Sequence, residues 1–204
     1  MFTLYQFKPA FQNSLRPLVN RLASWQISPN QITVSAILLS VAMGLTITCY
    51  PQSKFVFLLL PIVLLLRMAL NAIDGMLARE QNLTTDMGFV LNELGDVISD
   101  VALYLPFSFV PGIRASWIIT IVILAIITEV IGFLRFIIDN KRSYEGPMGK
   151  SDRALFFAII SLVLGFGIEI ESISFMNSIW VGMVVLLLWT IFNRSRSPFQ
   201  KDMS

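Results

Sequence analysis

Residues 67–100 read RMALNAIDGMLAREQNLTTDMGFVLNELGDVISD, two mostly apolar runs that meet at a short polar turn. Around that turn stand Asn71, Asp74, Arg79, Asp86, Asn92, Glu93, Asp96 and Asp100. Asn71, Asp74, Gly75 and Ala78 step by i, i+3, i+4, i+7 and share one face of the first helix. Gly88, Asn92, Asp96 and Asp100 step by four and share a slowly turning face of the second. Helices joined by so short a link are antiparallel neighbours, so the two polar faces can meet. Two carboxylates and two amides then converge, with Asp100 deeper. Oxygen donors of this kind suit Mg²⁺, Mn²⁺ or Ca²⁺, and like charges held so close repel strongly without a cation. Gly75, Ala78 and Gly88 keep the faces free of bulk, so a large ligand can approach the backbone.

Composition says what surrounds this turn. The chain has 204 residues, 55% hydrophobic and only 14% charged, with mean hydropathy +0.73. A soluble domain carries roughly 25% charged residues, so the class is an all-α integral membrane protein. There is no histidine, which excludes a Ser-His-Asp triad and His-ligated zinc or haem, and the single Cys49 excludes an internal disulfide. Six runs approach the ~20 apolar residues needed to span a bilayer: about 32–50, 55–79, 87–110, 115–138, 154–171 and 174–193. Ahead of them, Leu4, Phe7, Phe11, Leu15, Leu18, Leu22 and Trp25 recur at three- and four-residue steps. They predict an amphipathic helix over residues 1–28 lying on the membrane surface, not a signal peptide. The expected organisation is one domain over 1–204: an interfacial helix (1–28), a six-helix bundle (29–194) and a tail (195–204).

With six spans both termini share a side. That side holds Lys8, Arg16, Arg21, Arg79, Lys141, Arg142, Lys150, Arg153, Arg194, Arg196 and Lys201, against Lys54 and Arg114 opposite. The positive-inside rule puts the basic side, and the polar turn with it, in the cytoplasm. Arg67 and Arg135 fall inside spans; Arg67 is expected to face the protein interior.

Asp74-Gly75-x-x-Ala78-Arg79, eight residues, then Gly88-x-x-x-Asn92-x-x-x-Asp96 resembles the CDP-alcohol phosphotransferase signature, D-x-x-D-G-x-x-A-R-x8-G-x-x-x-D-x-x-x-D. Six of its eight fixed positions match in spacing. The six-span layout and the N-terminal helix fit as well, so the likeness extends over nearly the whole chain. Within the family the chain looks most like the YnbA-like bacterial inner-membrane branch. Asn71 and Asn92 depart from the signature: both replace aspartates and leave the four core positions at −2 rather than −4.

The resemblance implies transfer of a phosphoalcohol from a CDP-alcohol, CDP-diacylglycerol foremost, to an acceptor hydroxyl with release of CMP. It implies one or two Mg²⁺ or Mn²⁺ ions on Asn71, Asp74, Asn92 and Asp96, with Ca²⁺ as a structural substitute, and Asp96 as general base. Asp100 is an auxiliary carboxylate. Donor contacts fall to Asn30, Thr33, Gly75, Ala78, Arg79, Thr85 and Gly88. The Pro29-Asn30 segment equally suits an ordinary helix start with Asn30 as cap. Lys150 and Arg153, with Arg135, are the candidates for a phosphate on a small polar alcohol or sugar-phosphate acceptor. Membrane lipids and a second copy of the chain are expected partners; nucleic acid is not.

Two other readings compete. A transporter would scatter polar residues through several spans or show inverted repeats; here they gather at one turn and no repeat is visible. A catalytically weak member that binds nucleotide or lipid is motivated by the two asparagines.

Overall fold

The computed structural model describes residues 8–139, 146–168 and 173–196. Among these residues seven α-helices follow one another: α1 (Lys8–Ser24), α2 (Pro29–Cys49), α3 (Lys54–Glu80), α4 (Asp86–Tyr104), α5 (Ala115–Asp139), α6 (Lys150–Gly165) and α7 (Ile173–Arg196), with a 3-10 turn, Leu105–Phe109, after α4. No strand occurs among the described residues. Among the described residues, four helices are long and apolar enough to cross a membrane: α2, α3, residues Ala115–Phe136 of α5 and Met176–Arg196 of α7. By that measure α4, with its carboxylates, and α6, with 16 residues, do not qualify.

Several boundaries differ from the sequence reading. The third apolar run, 87–110, is helical only to Tyr104. Pro106 lacks an N–H and its ring opposes a continuing α-turn, so the chain tightens into 3-10 geometry. The fifth apolar run spans 154–171, yet α6 begins at Lys150, where Asp152 accepts a hydrogen bond from the Gly149 N–H at 3.0 Å. It ends at Gly165, and Gly167 turns the chain at φ +67°. Helix α2 is capped by Ser28, not Asn30. The Ser28 hydroxyl accepts from Gln31 N–H at 3.3 Å, and the Gln31 side chain accepts from Ser28 N–H at 2.9 Å, a capping box with Pro29 at the first helical position.

Helix α1 packs through Leu15 and Leu22 of its expected face, but its buried centre is Val19 rather than Leu18. Val19 is fully buried against Ile32, Ile73, Met76 and Leu77, with Leu15, Leu22 and Ala23 beside it. Leu18 and Trp25 face outward, and Trp25 is 61% exposed. Docking against α3 therefore selects a stripe around Val19. Leu4 and Phe7 of that face lie outside the described residues, as do Lys141, Arg142, Lys201 and the tail from 197 on.

The core lies between α2, α3, α4, α5, α6 and α7. Tyr104 stacks on Phe157 at 4.0 Å between centroids, and Phe107 meets Phe57 and Phe157 edge-on. Helices α2 and α4 cross closely at Gly44, where an added Cβ would collide with the Ala102 carbonyl. Such small-residue contacts let backbones approach where lipid supplies no hydrophobic drive. At ~1.5 Å per residue, the 27 residues of α3 run ~40 Å, beyond the ~30 Å hydrocarbon core. Counted from Lys54, the surplus falls on the last two turns, which carry Asp74 to Arg79.

Candidate active site

Helix α3 ends at Glu80, and a turn with Asn82 at φ +55° returns the chain to α4. Thr85 starts α4 by accepting the Gly88 N–H at 3.0 Å. This hairpin brings the two predicted faces together, with α2 closing the third side.

Asp74 is 2% exposed. Its Oδ2 accepts from the Thr33 hydroxyl at 2.8 Å and from Asn92 Nδ2 at 3.1 Å. Its Oδ1 is buried and has no hydrogen-bond partner. A buried carboxylate oxygen left bare is costly, so the vacant acceptor points to a cation as its natural partner.

Asp96 is surrounded differently. Asn71 Nδ2 donates to Oδ1 at 2.5 Å, and Arg67 Nη2 lies 3.4 Å from the same oxygen and 3.1 Å from the Asp96 carbonyl. The Lys150 ammonium donates to Oδ2. That ammonium also lies 3.8 Å from Glu93 Oε2 and 3.6 Å from Glu129 Oε2.

Beneath these groups lies a buried ion network. Asp100 pairs with Arg67 at 2.6 Å and with Arg153 at 2.7 Å. Arg153 also pairs with Glu129 at 2.9 Å and donates to the Thr128 hydroxyl and the Met148 carbonyl. Arg194 donates to the Thr128 carbonyl at 2.5 Å and stands 3.5 Å from Glu129. Thr190 receives the Met148 N–H at 3.0 Å, tying the segment ahead of α6 to α7. Breaking one member of such a network leaves an uncompensated buried charge.

Asn71, Asp74, Asn92 and Asp96 thus form one cluster, with Thr33 beside them. Gly75 lies under the Arg79 guanidinium: a Cβ there would sit 3.4 Å from Nη1. Arg79 is exposed and makes no ion pair among the described residues. Gly88 lies between Thr85 and Asn30, whose side-chain oxygens would be 3.0 and 3.1 Å from an added Cβ. Asn30, Thr85 and Gly88 therefore adjoin one another at the start of α4, and Gly75 adjoins Arg79 near the end of α3.

The acceptor candidates separate. Lys150 keeps a side chain 25% exposed and reaches the cluster. Arg153 is 0% exposed and its donors are spent on Asp100, Glu129, Thr128 and Met148. It braces the site from below and does not face an incoming phosphate. Asp100 likewise belongs to the ion network rather than to the Asp74–Asp96 cluster. Arg135 lies half-buried in α5, six residues beyond Glu129.

The donor set fits a hard divalent ion: two carboxylates, one with a bare buried oxygen, and two amides whose Oδ1 and Nδ2 exchange places by a half-turn of the amide. No cluster of three His, Cys, Asp or Glu disposed to hold a metal occurs among the described residues.

Arg67, Glu93, Glu129 and Arg194 were not singled out as site residues. Arg67 carried a signal, since it precedes Asn71 by four and Asp74 by seven and so shares their face. Glu129 carried one too, as a carboxylate inside an apolar run, but its partners Arg153 and Arg194 could not be read because they come from helices distant in sequence.

The chain belongs to the CDP-alcohol phosphatidyltransferase family, whose model matches residues 26–192. It is 50% identical over 195 residues to inner membrane protein YnbA of Escherichia coli (strain K12), covering 96% of each chain. It is 37% identical over 103 residues, about half of each chain, to an uncharacterized protein of Aquifex aeolicus (strain VF5). The fold is that of phosphatidylinositol phosphate synthase (PgsA1) of Mycobacterium tuberculosis. With CDP-DAG bound, that protein matches at TM-score 0.64 and 20% identity over 88% of this chain and 89% of its own. Its complex with manganese and citrate matches at TM-score 0.67 and 19% identity, over 88% and 86%.

Proposed function

We propose that this chain transfers a phosphatidyl group, or another phosphoalcohol, from a CDP-alcohol such as CDP-diacylglycerol to the hydroxyl of a small polar acceptor, releasing CMP in phospholipid biosynthesis. The observation that carries the reading is Asp74: a buried carboxylate with one bare oxygen, its other oxygen bonded across the α3–α4 hairpin to Asn92. Family membership supports the reaction class, and the mycobacterial synthase of the same fold, crystallised with CDP-DAG and with manganese, supports the donor and the ion type.

A Mg²⁺ or Mn²⁺ ion among Asn71, Asp74, Asn92 and Asp96 would neutralise the donor's diphosphate and the departing CMP. Thr33 and Asn92 hold the Asp74 carboxylate in one orientation. Arg79, exposed beside Gly75, grips a diphosphate oxygen bidentately. Asn30, Thr85 and Gly88 leave a flat rim for the cytidine. Asp96 retains an open lone pair on Oδ2 beyond its bond to Lys150, and there it takes the acceptor's proton. The acceptor oxygen bonds to the diacylglycerol-side phosphorus as the bond from that phosphorus to the CMP oxygen breaks. Lys150, with Arg135, carries the acceptor side.

In the bilayer, the reading has six spans, with α4 turning Leu94 and Ile98 and α6 turning Leu155 and Ile159 outward to lipid, and α1 lying along the surface. The basic residues orient both termini and the site to the cytoplasm of the bacterial inner membrane. The deciding experiment incubates purified chain with CDP-diacylglycerol, Mg²⁺ or Mn²⁺ and a panel of alcohols. Metal-dependent CMP release, lost in Asp96→Ala, is expected; no CMP with any acceptor favours the second reading, a nucleotide- or lipid-binding protein. That reading draws on Asn71 and Asn92, which lower the site's charge.

A further inference from the structure

The two aspartates of the site have unequal surroundings. Asp96 has a cation on each oxygen: Lys150 at Oδ2 and Arg67 near Oδ1, with the Asn71 amide added. Asp74 is in no ion pair among the described residues, and its ligands are a hydroxyl and an amide. Its Oδ1 has no hydrogen-bond partner, although the residue is only 2% exposed. The Lys150 ammonium moreover sits where Glu93, Asp96 and Glu129 point together.

We propose that the site takes a single divalent cation, held from Asp74 with the neighbouring amides, and that the Lys150 ammonium is a tethered second positive charge standing on Asp96. The inference rests on the metal-dependent reading above and refines where charge enters the site. Coulombic balance drives it. A second divalent ion at Asp96 would have to displace an ammonium already paired there and would meet the Arg67 guanidinium behind it. At Asp74 no resident cation opposes an incoming ion. The substitutions at 71 and 92 agree with this, since amides supply oxygen ligands without the charge a second ion needs. A primary ammonium also suits the task mechanically: α6 fixes its backbone at the first helical turn, and the flexible stem lets the charge follow an acceptor phosphate.

The test is Mn²⁺ binding to the detergent-purified full chain, followed by electron paramagnetic resonance and calorimetry without substrate. One ion per chain is expected. Asp74→Asn should weaken Mn²⁺ by about 100-fold or more, whereas Asp96→Asn should change it by less than about tenfold. Lys150→Met should tighten Mn²⁺ or admit a second ion, because it uncovers the Asp96 carboxylate. Two ions in the unaltered chain, or equal losses from both aspartate variants, overturn the proposal, and the wild-type count decides even where a variant fails to fold. CMP release is read separately: one bound ion without CMP formation sinks the reaction while the inference stands, and CMP formation with two bound ions sinks the inference alone.

Discussion

The Thr33 hydroxyl of α2 donates to Asp74 of α3 at 2.8 Å, joining residues 41 apart in the chain. Asn92 of α4 reaches the same oxygen at 3.1 Å. Three helices therefore meet on one side of a single carboxylate and leave its other oxygen to a ligand.

Removing the first of these bonds should cost stability. Thr33→Val keeps the shape and deletes a donor to a buried carboxylate, a loss of about 1–3 kcal/mol. Thermal unfolding in detergent should show a lower midpoint for Thr33→Val and a near-normal one for Thr33→Ser.

Asn92→Asp should make stability depend on metal. It replaces a donor to Asp74 Oδ2 with a second carboxylate at the same distance. Without divalent ions the two charges repel and the unfolding midpoint falls. With Mg²⁺ or Mn²⁺ it recovers, giving a larger metal-induced shift than the unaltered chain shows. Equal shifts in both proteins contradict this account.

Arg153 separates a brace from a binding group. Arg153→Met leaves Asp100 and Glu129 without their shared cation and should destabilise by about 3–5 kcal/mol. Arg153→Lys should rescue poorly, since one ammonium cannot reproduce the bonds to Asp100, Glu129, Thr128 and Met148. Unchanged stability with a raised acceptor KM is the opposite outcome and would return Arg153 to the acceptor side.

Arg79 should behave in the reverse way. It is exposed and makes no ion pair among the described residues, so Arg79→Ala should alter stability by no more than about 0.5 kcal/mol. CMP formation should nevertheless fall about 10- to 100-fold in kcat/KM for the donor. Arg79→Lys should recover only part, because a point charge lacks the bidentate fork.

Gly44→Val tests the crossing of α2 and α4. The added side chain meets the Ala102 carbonyl, which no rotamer change relieves. Overpacking of this kind costs about 1–3 kcal/mol, and because α2 carries Thr33 and α4 carries Asn92, the metal site should loosen with it. Mn²⁺ affinity and unfolding midpoint should fall together.

Much of this molecule was legible in the chain. Asn71, Asp74, Asn92 and Asp96 could be assigned to facing helices because helical periodicity is local and the turn between α3 and α4 is short. The same reasoning missed the end of α4, where Pro106 acts within an apolar run that still reads as a span. It also put Leu18 and Trp25 on the packed stripe of α1 with Leu15 and Leu22, and left out Val19. Leu18 and Trp25 satisfy the periodicity as well as Val19 does, and only docking on Ile73 and Leu77 chooses between them.

By itself, then, the sequence determined an all-helical membrane protein, a carboxylate–amide cluster at one helical hairpin, and a site without histidine. Those properties follow from composition and from spacing within a few turns of helix. Tertiary structure alone decided which charges meet: Lys150 on Asp96, Arg153 between Asp100 and Glu129, and, among the described residues, no ion pair on Asp74. Pairing energy depends on distances between helices far apart in the chain, and no local pattern encodes those distances.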